Sequence, residues 1–426
     1  MASGLVGRDK FNYYLFIIVL VLLLCILPGG FIHEKTGRVI FYYCSYFSVV
    51  GVAVNYREFR SVCRASCYAL PLFALATLYA IWSLFAYYSL HYQTAEWLLF
   101  TPAKRWFLAG VIALYVCWGC QKGILRSITI KRWAMISLAA AFVLSSAYAV
   151  WQGFTSQDRI ILGINRATMT AYAYSALSLA LMTLIARHST SSKKYLALLL
   201  MGLLSVAVIF LTETRSAMAL HIFLAVLLVL ASLWQDKKLT PMSLGALLLL
   251  LLVVAGVGSR WSMVKMRVDS TFDEIHLYQQ GNDRTSLGSR FTMWKMGIMT
   301  FKEAPFGETE ITRNARIRAY LDSHNQQNSW ALEYIDVHLH NEFIQNASLS
   351  GIFGILTLLF FFGRLIFRNG ISGLLLNPVS VVTLSALLYG MTDVVLNSVE
   401  YIVLLTSVIL LSWLSCISST DEKVAG

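Results

Sequence analysis

Apolar residues in this chain come in long runs rather than in the strict alternation of a half-buried strand. A helix that crosses a bilayer needs about 20 apolar residues, and the sequence offers twelve such stretches: 12–31, 39–56, 67–88, 105–121, 133–152, 168–186, 195–212, 216–234, 241–258, 345–367, 377–396 and 399–417. Each is expected to be a transmembrane helix, because a lone span must satisfy its backbone internally. One long polar segment, 259–344, separates the ninth run from the tenth. Within it Phe291, Trp294, Met296, Ile298, Met299 and Phe301 predict an amphipathic helix over Ser289–Lys302, lying on the membrane surface. Pro305-Phe306-Gly307 stops that helix, and a second helical stretch is expected over Arg313–Leu321. The part from Asp269 to Arg284 is polar enough to be mobile. No internal repeat, low-complexity tract or separate soluble domain is expected, so the chain divides into 1–258 (nine helices), 259–344 (a large loop) and 345–426 (three helices).

Composition agrees with that pattern: 58% of residues are hydrophobic and 13% charged, and the mean hydropathy is +0.65. A soluble domain carries roughly 25% charged residues, so the expected class is an all-α polytopic membrane protein. The net charge of +12 then reports orientation rather than nucleic-acid binding, since no basic block with interleaved aromatics is present. With the N-terminus inside, the inside segments hold seventeen basic residues: Arg8, Lys10, Arg57, Arg60, Arg64, Lys122, Arg126, Lys131, Arg132, Arg187, Lys193, Lys194, Lys237, Lys238, Arg364, Arg368 and Lys423. The short outside connections hold seven: Lys35, Arg38, Lys104, Arg105, Arg159, Arg166 and Arg215. This bias places both termini in the cytoplasm and the loop in the periplasm or outside the cell. The first run follows Arg8 and Lys10 without a small-residue cleavage site, so it reads as a retained span rather than a removed signal peptide. Cys25, Cys44, Cys63, Cys67, Cys117, Cys120 and Cys416 lie in or beside apolar runs. Cys117-Trp118-Gly119-Cys120 has redox spacing but no βαβ context, which leaves it a packing element.

The loop ends in Val337-His338-Leu339-His340-Asn341-Glu342, where two imidazoles, an amide and a carboxylate meet an apolar run. Ionisable groups at such a boundary are costly and need a reason. On an extended segment the two histidines share a face; with Asp336 and Glu342 nearby they offer a metal reading, while His338 alone fits an interfacial anchor. No phosphate-binding loop, dinucleotide fingerprint or HExxH motif occurs, so any energy must come from an already activated substrate or a gradient. Arg215, in Thr212-Glu213-Thr214-Arg215-Ser216, is squeezed between two apolar runs and needs an anion, either Glu213 or a ligand. Arg290 opens the amphipathic helix after Ser286-Leu287-Gly288-Ser289, and Arg159 and Arg166 flank Gly163. Guanidinium groups bind phosphate oxygens in pairs and keep their charge, so two of them can neutralise a departing pyrophosphate. A neutral His beside them can take a proton from an attacking sugar hydroxyl.

Taken in order, these motifs resemble the O-antigen ligase family. Its signature is a His followed by Asn, Ser or Gln, then nine residues and a glycine-containing start of a span; here His340-Asn341 precedes Glu342–Ser350 and Gly351-Ile352-Phe353-Gly354. Thr214-Arg215-Ser216 and Leu287-Gly288-Ser289-Arg290 match the family's two key arginines, and Arg159, in Asp158-Arg159-Ile160-Ile161-Leu162-Gly163, resembles a third basic position. The resemblance implies a membrane-embedded glycosyltransferase C-type fold with about twelve transmembrane helices and one large periplasmic loop. It implies transfer of O-antigen polysaccharide from undecaprenyl pyrophosphate to a sugar of lipid A–core, completing lipopolysaccharide at the periplasmic side of the bacterial inner membrane. The chemistry would be inverting and independent of metal, cofactor and nucleotide. By carry-over His340 is the general base and Arg215 and Arg290 hold the donor diphosphate, with His338, Arg159, Asp393 and Asn341 as secondary candidates. Two other readings use the same groups: an O-antigen polymerase or protein O-oligosaccharyltransferase, and a lipid-linked oligosaccharide flippase.

Overall fold

The computed structural model describes residues 2–59, 68–89, 100–156, 158–189, 193–260, 262–368, 370–371 and 373–417. Arg60, Cys63, Arg64, Cys67 and Lys423, used above for charge and cysteine placement, lie outside the described residues. Among those described there is no strand, and sixteen α-helices follow in chain order. They are α1 (Ala2–Ile32), α2 (Glu34–Val54), α3 (Ala69–Ser89), α4 (Phe100–Gln121), α5 (Ser127–Thr155), α6 (Ala167–His188), α7 (Lys193–Leu211), α8 (Arg215–Gln235) and α9 (Pro241–Arg260). The polar segment adds α10 (Ser262–Gln279), α11 (Ser286–Glu303), α12 (Glu310–Ser323) and α13 (Ala331–Tyr334); α14 (Glu342–Ile366), α15 (Pro378–Gly390) and α16 (Val399–Leu414) complete the chain.

All twelve apolar runs fall on helices. Eight of these, α1, α2, α3, α5, α6, α7, α8 and α14, are long and apolar enough to cross a membrane. The chain is a polytopic membrane protein on that ground. Helices α15 and α16 are apolar but shorter, at 13 and 16 residues. The run expected over 377–396 is helical only to Gly390, because the chain then turns through the loop that carries Asp393.

Helix α6 is the hub. The apolar window of α6 is 94% buried, against 28–50% for the other seven spans, and α5, α7, α8, α15 and α16 all pack on it. Its many Ala, Ser and Thr residues let neighbouring backbones approach closely, which is how helices associate when lipid removes the hydrophobic drive between them. Hydrogen bonds then tie helix ends together at two opposite faces. At one, Arg8 and Lys122 both reach Glu58 at 2.9 Å, and Lys194 reaches Asp236 at 2.6 Å. At the other, Gly163 docks between α1 and α2 (its N–H to Phe31 O at 2.8 Å, its C=O from Glu34 N at 2.9 Å), and the indole of Trp106 donates to Leu396 O at 2.9 Å.

The polar segment differs from its expectation in two places. Asp269–Arg284 is helical as far as Gln279, held by ion pairs of Arg267 with Glu213 (2.5 Å) and of Glu274 with Arg215 (2.8 Å) that hydropathy does not reveal. The expected surface helix is α11, capped by Thr285, whose side chain accepts from Gly288 N. It buries Met293 and Met296 against Ile317, Leu321, Ala331, Ile335 and Leu339 in a small core of its own, while Ile298 stays exposed. The buried face is thus the one with Ser289, Thr292, Met293 and Met296, and it packs on the start of α14. The second expected stretch, Arg313–Leu321, lies inside α12.

Helix α14 is broken at Gly351, whose backbone sits at φ +59° and ψ −143°. The loop at Pro305–Glu308 fills the break: Pro305 O accepts from Ile352 N at 2.9 Å, and Glu308 N donates to Leu349 O at 2.8 Å. A Cβ at Gly351 would lie 2.2 Å from Pro305 O. Gly351→Ala therefore meets both a left-handed backbone and a backbone clash, with an expected loss of about 1–3 kcal/mol or more. The thermal midpoint of the purified protein in detergent should fall; an unchanged midpoint would mean that the loop yields freely.

Candidate functional site

The short segment between α13 and α14 is where the fold concentrates polar groups. Asn341 caps α14, its Oδ1 accepting from Phe343 N and Ile344 N at 3.0 and 3.1 Å, a standard use of Asn at a helix start. Its Nδ2 donates to Met391 O at 2.8 Å, so one amide both starts the helix and holds the α15–α16 loop. Glu342, fully buried, does the same from the other side. Its Oε2 accepts from Val395 N and Leu396 N at 2.8 Å each, and its Oε1 from Asn346 Nδ2 (2.9 Å) and Tyr79 Oη (3.3 Å).

Pinned in this way, the 391–398 loop carries Asp393 to His340. Asp393 Oδ1 lies 3.1 Å from His340 Nδ1 and 4.0 Å from His338 Nε2. Burial alone would raise the Asp393 carboxyl, but the hydrogen bond from His340 and the charges of His340, His338 and Arg290 hold it below its ordinary value. An ionised carboxylate only accepts, so Nδ1 of His340 carries a proton, and in the neutral imidazole Nε2 holds the lone pair. Nε2 has no hydrogen bond among the described residues. The His340 backbone sits at φ +50°, sterically unfavourable for a residue with a Cβ and persisting only where the surroundings hold it. Those surroundings are the ring of His338 at 4.3 Å between centroids, Tyr334 at 6.1 Å, and the indole of Trp294, which donates to His340 O at 3.2 Å. Burial chiefly, with His340 and Arg290 assisting, pushes His338 down to about 4.

Arg290 shares a helical face with Trp294 four residues on. Its Nη1 donates to Thr392 O at 3.0 Å, beside Asp393, so it is half-buried at the histidine rather than exposed at a helix start. Arg215 belongs to a second group. Its partner is not the neighbouring Glu213: Nη2 bonds Glu274 Oε1 at 2.8 Å and Nη1 bonds Thr271 Oγ1 at 3.1 Å. Arg159 donates from Nε to Thr212 O at 2.8 Å and from Nη2 to Thr214 Oγ1 at 3.1 Å. Burial and the positive charge of Arg267 lower it, and it remains charged. Arg166 stays exposed.

The two groups meet at Tyr172, whose hydroxyl lies 2.8 Å from Ser216 Oγ and which is within electrostatic reach of Asp393 and Arg290. Its ring stacks on Tyr389 at 4.3 Å. Tyr172, Arg267 and Trp294 are positions to which the sequence reading gave no role at the site, and it weighed Glu342 only as a metal partner. Glu342 alone had a usable signal there, a carboxylate at the first turn of an apolar helix.

His338, His340 and Asp393 lie close enough to hold a metal ion, with ligand atoms within 4.8 Å of one another. The acidic partners anticipated for such a site go elsewhere: Asp336 pairs with Arg318 at 2.6 Å and Glu342 faces the 391–398 loop. Arg290 sets a fixed positive charge beside the trio, which disfavours a cation and favours an anion.

Two likenesses to known proteins bear on this arrangement. The O-antigen ligase family model matches residues 199–359, which include Arg215, Arg290, His338 and His340 and leave out Arg159 and Asp393. The chain is also 24% identical over 287 residues to a protein named O-antigen ligase from Escherichia coli (strain K12). That match spans 66% of this chain and 66% of the relative, just under two thirds of its length. Together they support assignment of this chain to the O-antigen ligase family.

Proposed function

We propose that this protein is an O-antigen ligase, transferring a polysaccharide from undecaprenyl pyrophosphate to a sugar hydroxyl of lipid A–core at the periplasmic face of the bacterial inner membrane. The observation that carries the reading is the His340–Asp393 contact of 3.1 Å with Arg290 on the adjoining residue of the same loop. His340 Nε2 accepts the proton of the acceptor hydroxyl as its oxygen bonds to the anomeric carbon from the face opposite the leaving group. The bond from that carbon to the donor diphosphate breaks, and its electron pair departs with undecaprenyl pyrophosphate. Inversion follows from in-line displacement. Asp393 holds the imidazole in the tautomer that presents Nε2 and stabilises the imidazolium once formed, as an orienting carboxylate does beside any general-base His.

The arginines supply what the leaving group needs. The guanidinium groups of Arg159, Arg215, Arg267 and Arg290 stand against the three carboxylates of Glu213, Glu274 and Asp393, so the site keeps a small excess of fixed positive charge. Glu274 and Thr271 occupy the two Nη groups of Arg215; a diphosphate oxygen takes that place by exchange, since carboxylate and phosphate suit the same planar fork. No metal, cofactor or nucleotide enters this scheme. The large loop and the donor site then lie in the periplasm, and both termini in the cytoplasm.

The test is reconstitution of the purified protein with lipid-linked polysaccharide and lipid A–core, with chelator present. Polysaccharide-bearing lipid A–core should form. Lengthening of the lipid-linked chain instead would make the protein a polymerase, and movement of donor across the bilayer without a new glycosidic bond would make it a flippase. His340→Ala should lower turnover by about 10²–10⁴-fold while donor still binds; full transfer in that variant removes His340 as the base. Arg215→Lys should be nearly as damaging as Arg215→Ala, because an ammonium cannot make the paired contact; full activity with Lys reduces the residue to a point charge. Burial pushes His338 down to about 4, so above that pH it is neutral, and His338→Gln should leave the pH dependence of transfer unchanged there. A pH profile displaced in that variant would make His338 a titrating group of the reaction.

A further inference from the structure

Away from the histidine, the polar segment encloses a cleft of about 580 Å³ between the end of α10, the 281–284 turn, one side of α11 and the 325–329 loop. We propose that this cleft is a saccharide subsite for a hydroxyl-rich chain bearing anionic substituents, which rests on the ligase reading above. Small-molecule sites occupy roughly 300–1,000 Å³, so the cleft is large enough for a short run of sugars. Its walls present the amides of Asn325, Gln326 and Asn328, which have no side-chain hydrogen bond among the described residues, and the cations Arg284 and Lys295, which form no ion pair among them. An amide offers donor and acceptor side by side, matching the vicinal hydroxyls of a sugar. Guanidinium and ammonium groups suit phosphate or carboxylate substituents.

Exposed amides and lysines on loops are ordinary, but two features set this cleft apart. The first is that it is built in advance of a ligand. Asp283 staples its two loops together: its Oδ2 accepts from Thr292 Oγ1 at 2.9 Å and from the Ser329 hydroxyl, and its Oδ1 from Trp330 N at 3.4 Å. A wall held in place beforehand loses less freedom on binding. The second is that an aromatic track leads from the cleft to the histidine. Tyr278, on the cleft wall, meets Phe291 at 5.2 Å between ring centroids, Phe291 meets Trp294 at 5.7 Å, and Trp294 bonds His340 O at 3.2 Å. Aromatic rings give the C–H faces of sugars an apolar floor while the ring edges stay wet. A chain seated in the cleft is therefore directed along this track toward the reacting hydroxyl or the anomeric carbon.

Either substrate carries the required chemistry, and binding tells them apart. The full-length protein in lipid nanodiscs is titrated with core oligosaccharide released from lipopolysaccharide by mild acid, and separately with delipidated O-polysaccharide. The variants are Lys295→Ala, Tyr278→Ala and the pair Asn325→Ala with Asn328→Ala, each with a thermal midpoint measured first. Affinity for one probe should weaken by about tenfold at an unchanged midpoint: loss for the core oligosaccharide makes the cleft an acceptor subsite, and loss for the O-polysaccharide makes it a donor subsite. The proposal is overturned if wild-type protein binds neither probe, or if the folded variants bind both as the wild type does. His340→Ala should bind the probes normally. Transfer activity persisting in His340→Ala would count against the reaction scheme while leaving the binding result to judge the cleft.

Discussion

A carboxylate with no access to water dictates the arrangement of this site. Glu342 stands at the first turn of a helix long and apolar enough to cross a membrane and is fully buried, a position where an unpaired charge or unsatisfied acceptor is very costly. Its donors come from the backbone of Val395 and Leu396, from Asn346 and from Tyr79. Satisfying one buried group thus draws the α15–α16 loop, the α3 helix and the start of α14 to a single point. Asp393 is two residues from that point in one direction and His340 two residues in the other, so their contact follows from where the carboxylate finds its hydrogen bonds. Buried polar networks are severe in this sense: fully satisfied they specify one geometry, and half satisfied they are worse than an apolar core.

Around this point the backbone is held in conformations it would not choose. His340 and Glu213 both have positive φ, at +50° and +51°, and Gly351 breaks α14 where the 305–308 loop inserts. Such strain persists only where neighbours over-determine it. Here those neighbours are ring contacts, helix caps and the broken helix itself, and the strained residues adjoin the same groups that carry the proposed chemistry. The arginines divide accordingly: Arg290 is set beside the histidine by α11, while Arg159, Arg215 and Arg267 form a second positive group that Tyr172 and Ser216 join to the first. On the reaction proposed above, a diphosphate spanning the two groups would be recognised by their separation as well as by their charge.

The helices were largely legible from hydropathy because lipid leaves a chain few choices: a run of apolar residues must close its own hydrogen bonds. The limits appeared where tertiary contacts overrule composition. Asp269–Gln279 looks too polar to be ordered, and it is a helix held at its middle, where Arg215 and the N–H of Leu287 both bond Glu274, and just before its start, where Arg267 bonds Glu213. The run at 377–396 looks like a full span and stops at Gly390, because Asn341 and Glu342 capture the backbone beyond it. Likewise Glu213 is the nearest anion to Arg215 along the chain, yet Glu274 is its partner in space.

What the residues determined unaided was therefore the class of molecule and the set of apolar helices, with a few charged positions (His340, Arg215, Arg290) marked as candidates for chemistry. What folding alone decided was company. The pairing of His340 with Asp393 joins residues 53 apart in the chain, and the link from Tyr172 to Ser216 joins residues 44 apart. Local propensity and hydropathy act over one or two helical turns. A buried polar group, by contrast, must find its partner wherever packing places one, and no pattern along the chain records where that is.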